Sequence, residues 1–161
     1  MTDRLSLLHA GAWACAFAAL GGTKAWAEEG DRVVRTPLLP KYREECAACH
    51  IAYPPGLLPA ASWHRVMANL PRHYGTDASL DPGTATALAK WLTANAATSG
   101  RQSEPPPEDR ITRSAWFIRE HREVSPATWK LPNVRSAASC AACHTQADQG
   151  DFNEHNVRIP R

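Results

Sequence analysis

The sequence predicts an all-α protein of two small helical halves, with long proline-rich loops and little or no strand. Apolar side chains recur at helical spacing in several short segments, whereas alternating apolar and polar runs, which favour strands, are nearly absent. Thirteen of the 161 residues are proline. Because proline interrupts regular helices, the connections between helices are expected to be long and irregular.

Two helices are predicted in the first half of the chain. Between positions 63 and 70, apolar residues fall at i, i+3, i+4 and i+7, and Ser62 is the predicted N-cap. The next helix is predicted to begin at Asp81 and Pro82, which suit the N-cap and the first helical position. Its apolar residues keep helical spacing as far as Ala96.

Two further helices are predicted in the second half. The first is a short helix over Ser114–Glu123, which must end before Pro126 because the residue preceding a proline disfavours helical geometry. The second is predicted over Val134–Cys143, where it runs into a pentapeptide that also occurs earlier in the chain.

A polar, proline-rich segment separates the two halves. Residues 97–110 read ATSGRQSEPPPEDR, a composition that predicts an extended, semi-rigid linker. The expected division is an N-terminal domain of residues 28–100 and a C-terminal domain of residues 101–161. Domains this small bury little apolar surface, so each is expected to need a covalent staple, a metal or a cofactor to be stable.

Residues 1–27 have the parts of a secretory signal peptide. An apolar run follows Arg4, and the small residues Ala25 and Ala27 mark a cleavage site after Ala27. A retained membrane anchor is the alternative, but the apolar run of about 16 residues is short of the ~20 that span a bilayer. Cleavage would export the chain to the periplasm and leave 16 basic and 15 acidic residues, a balance that does not favour nucleic-acid binding.

The pentapeptide CAACH occurs at Cys46–His50 and again at Cys140–His144, and these two copies hold every cysteine that remains after signal removal. Cysteines of exported proteins usually form disulfides, but disulfide chemistry gives no reason for a histidine after each pair. A redox Cys-x-x-Cys motif is usually found beside a βαβ pattern, which this sequence lacks. Zinc sites usually have their second ligand pair within about 20 residues, much closer than these two copies.

The spacing of CAACH favours covalent haem c. Two cysteines at i and i+3 lie on one side of a helical turn, where their thiols can add to the two vinyl groups of a porphyrin. The histidine at i+4 is one turn from the first cysteine and can bind the iron. The sequence therefore predicts two covalently bound haem c groups. The predicted residues are Cys46, Cys49, Cys140 and Cys143 for the thioether bonds and His50 and His144 for the iron.

The second axial ligand of each iron decides between electron transfer and chemistry at an open site. Outside the signal segment and the CAACH motifs, the candidates are His64, His73, His121, His155 and Met67. Helical periodicity does not choose between His64 and His73, which lie on opposite sides of the same apolar face. His121 shares a face with apolar residues of its predicted helix, Met67 is expected in the core, and His155 is expected in solvent.

Several segments resemble the small dihaem cytochromes c of photosynthetic and other proteobacteria, the DHC group. They are ECAACHIAYPPGLLPAASWHRVMANLPRHYGTDASLD, RITRSAWFIREHREV, CAACHTQADQGDF and VRIP, and the resemblance covers most of residues 41–160. It implies two bis-histidine haems, with His73 and His121 as the distal ligands; which distal histidine serves which haem stays open. It also implies two partners, an oxygen-binding monohaem cytochrome c called SHP and a membrane cytochrome b.

The leading hypothesis is a periplasmic electron carrier that passes electrons between redox proteins through two bis-histidine haems and is not an enzyme. The alternatives are a dihaem peroxidase-like enzyme and a gas-binding haem protein, each of which needs one open iron site. A structural haem protein without a turnover role is a further alternative.

Overall fold

The computed structural model describes residues 36–161; the predicted signal peptide lies outside this range. The described residues hold four α-helices, α1 (Pro40–Cys46), α2 (Ala60–Met67), α3 (Pro82–Ala94) and α4 (Ala115–Glu120). Loops with short 3₁₀ turns connect them, and extended pairing within residues 36–161 is limited to three isolated bridges. The predicted all-α class with little strand is confirmed.

Helix α1, which the sequence analysis did not predict, leads directly into the first CAACH. Pro40 occupies its first turn, where the missing amide proton is not needed. The Lys41 ammonium contacts the Glu45 carboxylate at 2.7 Å, an i, i+4 pair on the exposed face. Tyr42 is buried on the opposite face, and Cys46 is the last helical residue. The helix therefore joins Cys46, a predicted haem attachment residue, to the core of the first half.

Helices α2 and α3 pack together and form that core. Trp63 of α2 and Leu88 and Leu92 of α3 are almost fully buried, and burial of side chains of this size stabilises a fold by about 2 kcal/mol each. The indole N–H of Trp63 donates to the carbonyl of Pro55 at 2.6 Å, so the polar atom of this buried ring is satisfied. Ala52 and Tyr53, in the loop after His50, lie in or against this core.

The predicted start of α3 is confirmed, whereas the predicted N-cap of α2 is not. Helix α3 begins as predicted, because the Asp81 carboxylate accepts a hydrogen bond from the Thr84 amide at 2.9 Å. The predicted N-cap at Ser62 is wrong, since α2 already begins at Ala60, directly after Pro59. Ser62 is instead fully buried inside the helix.

The helix predicted over Val134–Cys143 is not formed; this stretch holds only a 3₁₀ turn at Cys140–Ala142. Arg135 adopts a positive φ of 68°, which a right-handed helix cannot include. Ser136 also competes for the backbone, because its hydroxyl accepts the amide proton of Ala138 at 3.2 Å. Short polar residues thus favour turns here over the helix that apolar spacing predicted.

Residues 97–110 pack against the first half, although their composition predicted an extended linker. They contain two 3₁₀ turns, Arg101–Ser103 and Pro107–Asp109. The Arg65 guanidinium of α2 donates two hydrogen bonds to the Asp109 carboxylate, at 2.8 and 2.6 Å. Pro106 is buried beside this contact. Composition could not reveal the docking, because it depends on a partner 44 residues away.

None of the helices between residues 36 and 161 is long and apolar enough to cross a membrane.

Candidate haem sites

The structure brings each CAACH histidine against one other histidine of the same half. The ring centres of His50 and His73 are 6.1 Å apart, with planes inclined by 26°. The ring centres of His144 and His121 are also 6.1 Å apart, with planes inclined by 66°. The four predicted iron-binding histidines therefore form two separate pairs, and neither pair crosses between the halves.

The spacing within each pair fits a metal between two imidazoles. With metal–nitrogen bonds of about 2 Å, a bound ion holds the two ring centres roughly 6 Å apart. Rings stacked face to face can lie closer, as Phe117 and His121 do with centres 3.9 Å apart, whereas edge-to-face rings such as Trp116 and Phe117 contact each other at 6.0 Å. The spacing of each pair is therefore compatible with an iron between the two imidazoles.

A tight turn holds His73 in place. Tyr74 and Gly75 have φ values of 52° and 99°, and the Thr76 amide donates to the His73 carbonyl at 3.1 Å. Two consecutive positive φ angles with this hydrogen bond are typical of a type I′ turn, which glycine favours at its second central position. The turn follows Pro71, where α2 has already ended, and so directs His73 toward His50.

His50 is oriented by its own loop. Its Nδ1 lies 2.6 Å from the Ile51 carbonyl oxygen, and since a carbonyl can only accept, Nδ1–H is the donor. This hydrogen bond leaves Nε2 unprotonated and available to a metal, the usual arrangement of metal-bound histidines. The Tyr53 ring stacks on the imidazole with centres 4.7 Å apart and planes inclined by 20°. Few other orientations of the ring remain possible.

His121 directly follows the last residue of α4 and is the C-cap of that helix. Ser114 begins this helix by accepting the Phe117 amide at 3.2 Å. One turn later, Nδ1–H of His121 donates to the Phe117 carbonyl at 2.9 Å, which again leaves Nε2 available. The Phe117 ring lies against one face of the imidazole, and Trp129 lies 6.0 Å from it.

The C-terminal segment holds His144. The His144 amide donates to the Cys140 carbonyl at 2.8 Å, which closes the helical turn that the motif predicts. The Arg158 amide donates to the Cys143 carbonyl at 2.8 Å, and His144 forms an antiparallel bridge with Val157. Backbone contacts from Val157 and Arg158 therefore hold the second CAACH in place.

The polar chemistry of both pairs suits metal binding. Burial is the main cause that lowers the pKa of His73, and the nearby charges of His50 and Arg110 lower it further. Burial, together with the facing His121, also lowers the pKa of His144, although Asp151 acts in the opposite direction. Lowered pKa values favour the neutral imidazole that a metal requires. Nδ1 of His144 is buried and has no hydrogen-bond partner among residues 36–161.

The four cysteines of the two CAACH motifs form no disulfide within residues 36–161. Burial is the main cause that raises the pKa of Cys46 and of Cys140 to about 11 in each case. Both are therefore thiols, not thiolates, near neutral pH. Cys49 is exposed, and Cys143 is half-buried. In each motif, two thiols three residues apart adjoin a histidine pair, so the residues present fit haem c.

The remaining axial candidates lie away from both pairs. His64 and His155 are exposed, and neither is stacked with another histidine among the described residues. Met67 is half-buried and packs against the core cluster of α2 and α3. These positions agree with the expectations that Met67 belongs to the core and His155 to solvent.

Comparison with known proteins identifies the family. The model of the family described as dihaem cytochrome c matches residues 42–152. The chain belongs to the dihaem cytochrome c family. It is a dihaem c-type cytochrome with two covalently bound haem c groups, as the repeated motif predicted. Membership fits electron transfer with another redox protein, and cytochromes c are typically exported.

Solved structures of dihaem cytochromes c share this fold. The diheme cytochrome c of Shewanella baltica OS155 is 38% identical, with a TM-score of 0.66 over 75% of this chain and 92% of that one. The DHC purified from Rhodobacter sphaeroides is 48% identical, with a TM-score of 0.62 over 71% of this chain and 96% of that one. Another structure from Rhodobacter sphaeroides is 44% identical, with a TM-score of 0.65 over 73% and 100%. Among curated proteins, none matches the chain.

Three residues beside the histidines of this dihaem cytochrome were not singled out from the sequence. Tyr53 stacks on His50, and Tyr74 lies edge-on to His73 with ring centres 4.9 Å apart. The Arg110 guanidinium lies 4.3 Å above the Tyr74 ring. The two tyrosines could have been found from the sequence, because Tyr53 is three residues after His50 and Tyr74 directly follows His73. Arg110 could not, because it comes from the segment between the halves.

Proposed function

We propose that this dihaem cytochrome is a periplasmic electron carrier in which both irons are bound by two histidines. His50 and His73 would bind the iron of the haem attached at Cys46 and Cys49. The second ligand set would be His144 and His121, for the haem attached at Cys140 and Cys143. The single observation that carries the proposal is the distance of 6.1 Å between ring centres in both pairs.

Two histidine ligands on each iron would limit the chemistry of the haem to electron transfer. A bound haem c supplies an iron that takes up and releases one electron. When imidazoles fill both axial positions, no position is left for a peroxide or a gas, so electron transfer is the remaining chemistry. The alternatives of a peroxidase-like enzyme and a gas-binding protein both require one of these histidine pairs to be open.

The protein's own residues keep the ligands in place between oxidation states. Carbonyl acceptors at Ile51 and Phe117 hold the Nδ1 protons of His50 and His121. Aromatic rings cover these two imidazoles, so little rearrangement accompanies a change of iron charge. Two histidine ligands also give a lower reduction potential than a histidine and a methionine would.

The partners and the location follow from the resemblance to the DHC group. The proposed partners are the oxygen-binding cytochrome SHP and a membrane cytochrome b. Their docking is expected to be transient and to bury a small interface, as is usual for redox encounters. Export would follow cleavage after Ala27, and the two haems would belong to domains of residues 28–100 and 101–161.

Electron paramagnetic resonance of the oxidised protein tests the ligation. We expect two low-spin ferric signals from bis-histidine haems and no high-spin signal. His73→Met should change only one of them and His121→Met only the other, whereas the exposed His64→Met should change neither. A high-spin signal, or an immediate shift of the Soret band when carbon monoxide is added to the reduced protein, would show an open iron and contradict the proposal.

A further inference from the structure

Tyr53 connects the two haem sites through both ends of its side chain. Its ring stacks on His50 in the first site, with centres 4.7 Å apart and planes nearly parallel at 20°. Its hydroxyl donates a hydrogen bond to the Ala138 carbonyl at 2.9 Å, across 85 residues of sequence. One side chain therefore contacts a histidine of the first pair and the backbone just before the second CAACH.

The accepting carbonyl lies close to the second haem attachment point. Ala138 precedes Cys140 by two residues, and the Cys140 thiol lies 3.7 Å from the same carbonyl oxygen. The helical turn that starts at Cys140 continues directly to His144. A displacement of Ala138 would therefore move both a thioether position and an axial histidine of the second site.

Tyr53 itself is held rigidly by the core of the first half. Its carbonyl accepts a hydrogen bond from the buried Tyr42 hydroxyl at 2.9 Å. Two buried prolines, Pro54 and Pro55, follow it, and the Trp63 indole is bonded to the second of them. Proline restricts the backbone, so the loop that presents Tyr53 has few alternative conformations. The hydroxyl is thus a fixed anchor for the segment around Ala138.

We propose that Tyr53 is a positioning residue that fixes the second haem relative to the first and thereby sets the rate of electron exchange between them. The inference rests on the proposed ligation of one iron by His50 and His73. Exchange moves one electron from the ferrous iron of one haem to the ferric iron of the other, and Tyr53 is neither oxidised nor deprotonated. Because tunnelling falls steeply with distance, a segment around Ala138 that moves away from Tyr53 lengthens the separation of the two haems and slows the exchange.

The experiment uses the full dihaem protein and the variant Tyr53→Phe, which keeps the aromatic ring and removes only the hydroxyl. Pulsed electron paramagnetic resonance measures the distance distribution between the two ferric irons, and flash reduction measures the exchange rate. We expect the variant to show a distance distribution shifted to longer distances and an exchange rate several-fold lower than the wild-type protein.

Thr93→Val is the control. The Thr93 hydroxyl also donates to backbone carbonyls, those of Ala89 and Lys90. Both carbonyls belong to α3 itself, so this variant should keep the wild-type distance distribution and rate. Tyr53→Leu, which also loses the stacking, should in addition shift the resonance signal of the first haem alone.

The two proposals can fail separately. If wild-type protein lacks two bis-histidine signals, the ligation fails, whatever the variants do. If those signals are present and Tyr53→Phe leaves both the distance distribution and the exchange rate unchanged, the role of Tyr53 is wrong. Equal changes in Tyr53→Phe and Thr93→Val would also overturn it, because the effect would then not depend on the contact with Ala138.

Discussion

Phe117 lies parallel to His121, with ring centres 3.9 Å apart and planes inclined by 18°. The same residue supplies the carbonyl that accepts the Nδ1 proton of the histidine. Phe117 is itself buried, and Trp129 lies 6.5 Å from it on another side. The orientation of this proposed iron ligand therefore depends on the helical turn between Phe117 and His121.

Replacing Phe117 by leucine should disturb the second haem and leave the first unchanged. The carbonyl remains, but the flat surface against the imidazole is lost, so the ring can rotate and the low-spin resonance signal of this haem should broaden. The smaller side chain should also lower the free energy of unfolding by about 1–2 kcal/mol. The neighbouring Ile118 is exposed, so Ile118→Leu is the control. A change in the signal of the first haem would contradict the separation of the two sites.

Asp109→Asn should weaken the attachment of residues 97–110 to α2. The variant keeps the shape of the side chain, and asparagine tolerates the positive φ of 55° at this position. The loss of an ion pair whose arginine is in solvent should cost about 0.5 kcal/mol of unfolding free energy at neutral pH. Denaturant unfolding of the dihaem protein measures it, and Glu154→Gln, at an exposed position, is the control that should leave the free energy of unfolding unchanged.

The stability difference between wild type and Asp109→Asn should depend on pH in a defined direction. The hydrogen bond from Arg65 is the main cause that lowers the pKa of Asp109 below its ordinary value. Stability from the pair is therefore complete above about pH 4, the unfolded-state pKa, and is lost as the pH falls through the lower folded-state pKa. The two proteins should become equally stable in acid. A difference that grows below pH 4 would contradict this explanation.

Arg110→Gln should lower the reduction potential of the first haem. The guanidinium lies over Tyr74 beside His73, where its positive charge disfavours the ferric state. Its removal should shift the potential downward by about 30 mV, less at high salt because the site is partly exposed. Spectroelectrochemical titration measures both potentials. Arg113→Gln is the control, since Arg113 pairs with the same Glu108 carboxylate but does not cover Tyr74. Equal shifts in both variants would exclude a local effect.

Truncation after Asn156 should loosen the second CAACH. It removes the Arg158 amide, which donates to the Cys143 carbonyl, and Val157, which bridges to His144. Fewer restraints on His144 should produce a partial high-spin signal from the second haem, or a lower midpoint of its unfolding. Removal of residues 160–161 alone should have no effect. Wild-type spectra and stability after the longer truncation would show that the tail does not support the site.

The sequence predicted correctly those features that depend only on residues within a few positions of one another. The CAACH spacing predicted the two covalent haem c groups that the family confirms, because two thiols and an imidazole within one turn need no distant residue. Asp81 and Pro82 likewise predicted the start of α3. The helix predicted over Val134–Cys143 was wrong because apolar spacing does not register the backbone competition from Ser136 and the positive φ at Arg135.

By itself, the sequence determined the helical class, the two covalent cofactors and the short set of possible axial ligands. Helical periodicity left the choice between His64 and His73 open, and only the family resemblance pointed to His73. In the tertiary structure, the turn after α2 brings His73 against His50. The tertiary structure alone joined Arg65 to Asp109 and Tyr53 to Ala138, contacts that span 44 and 85 residues. Periodicity describes neighbours along a helix, whereas these contacts arise from the packing of distant segments, which no local pattern encodes.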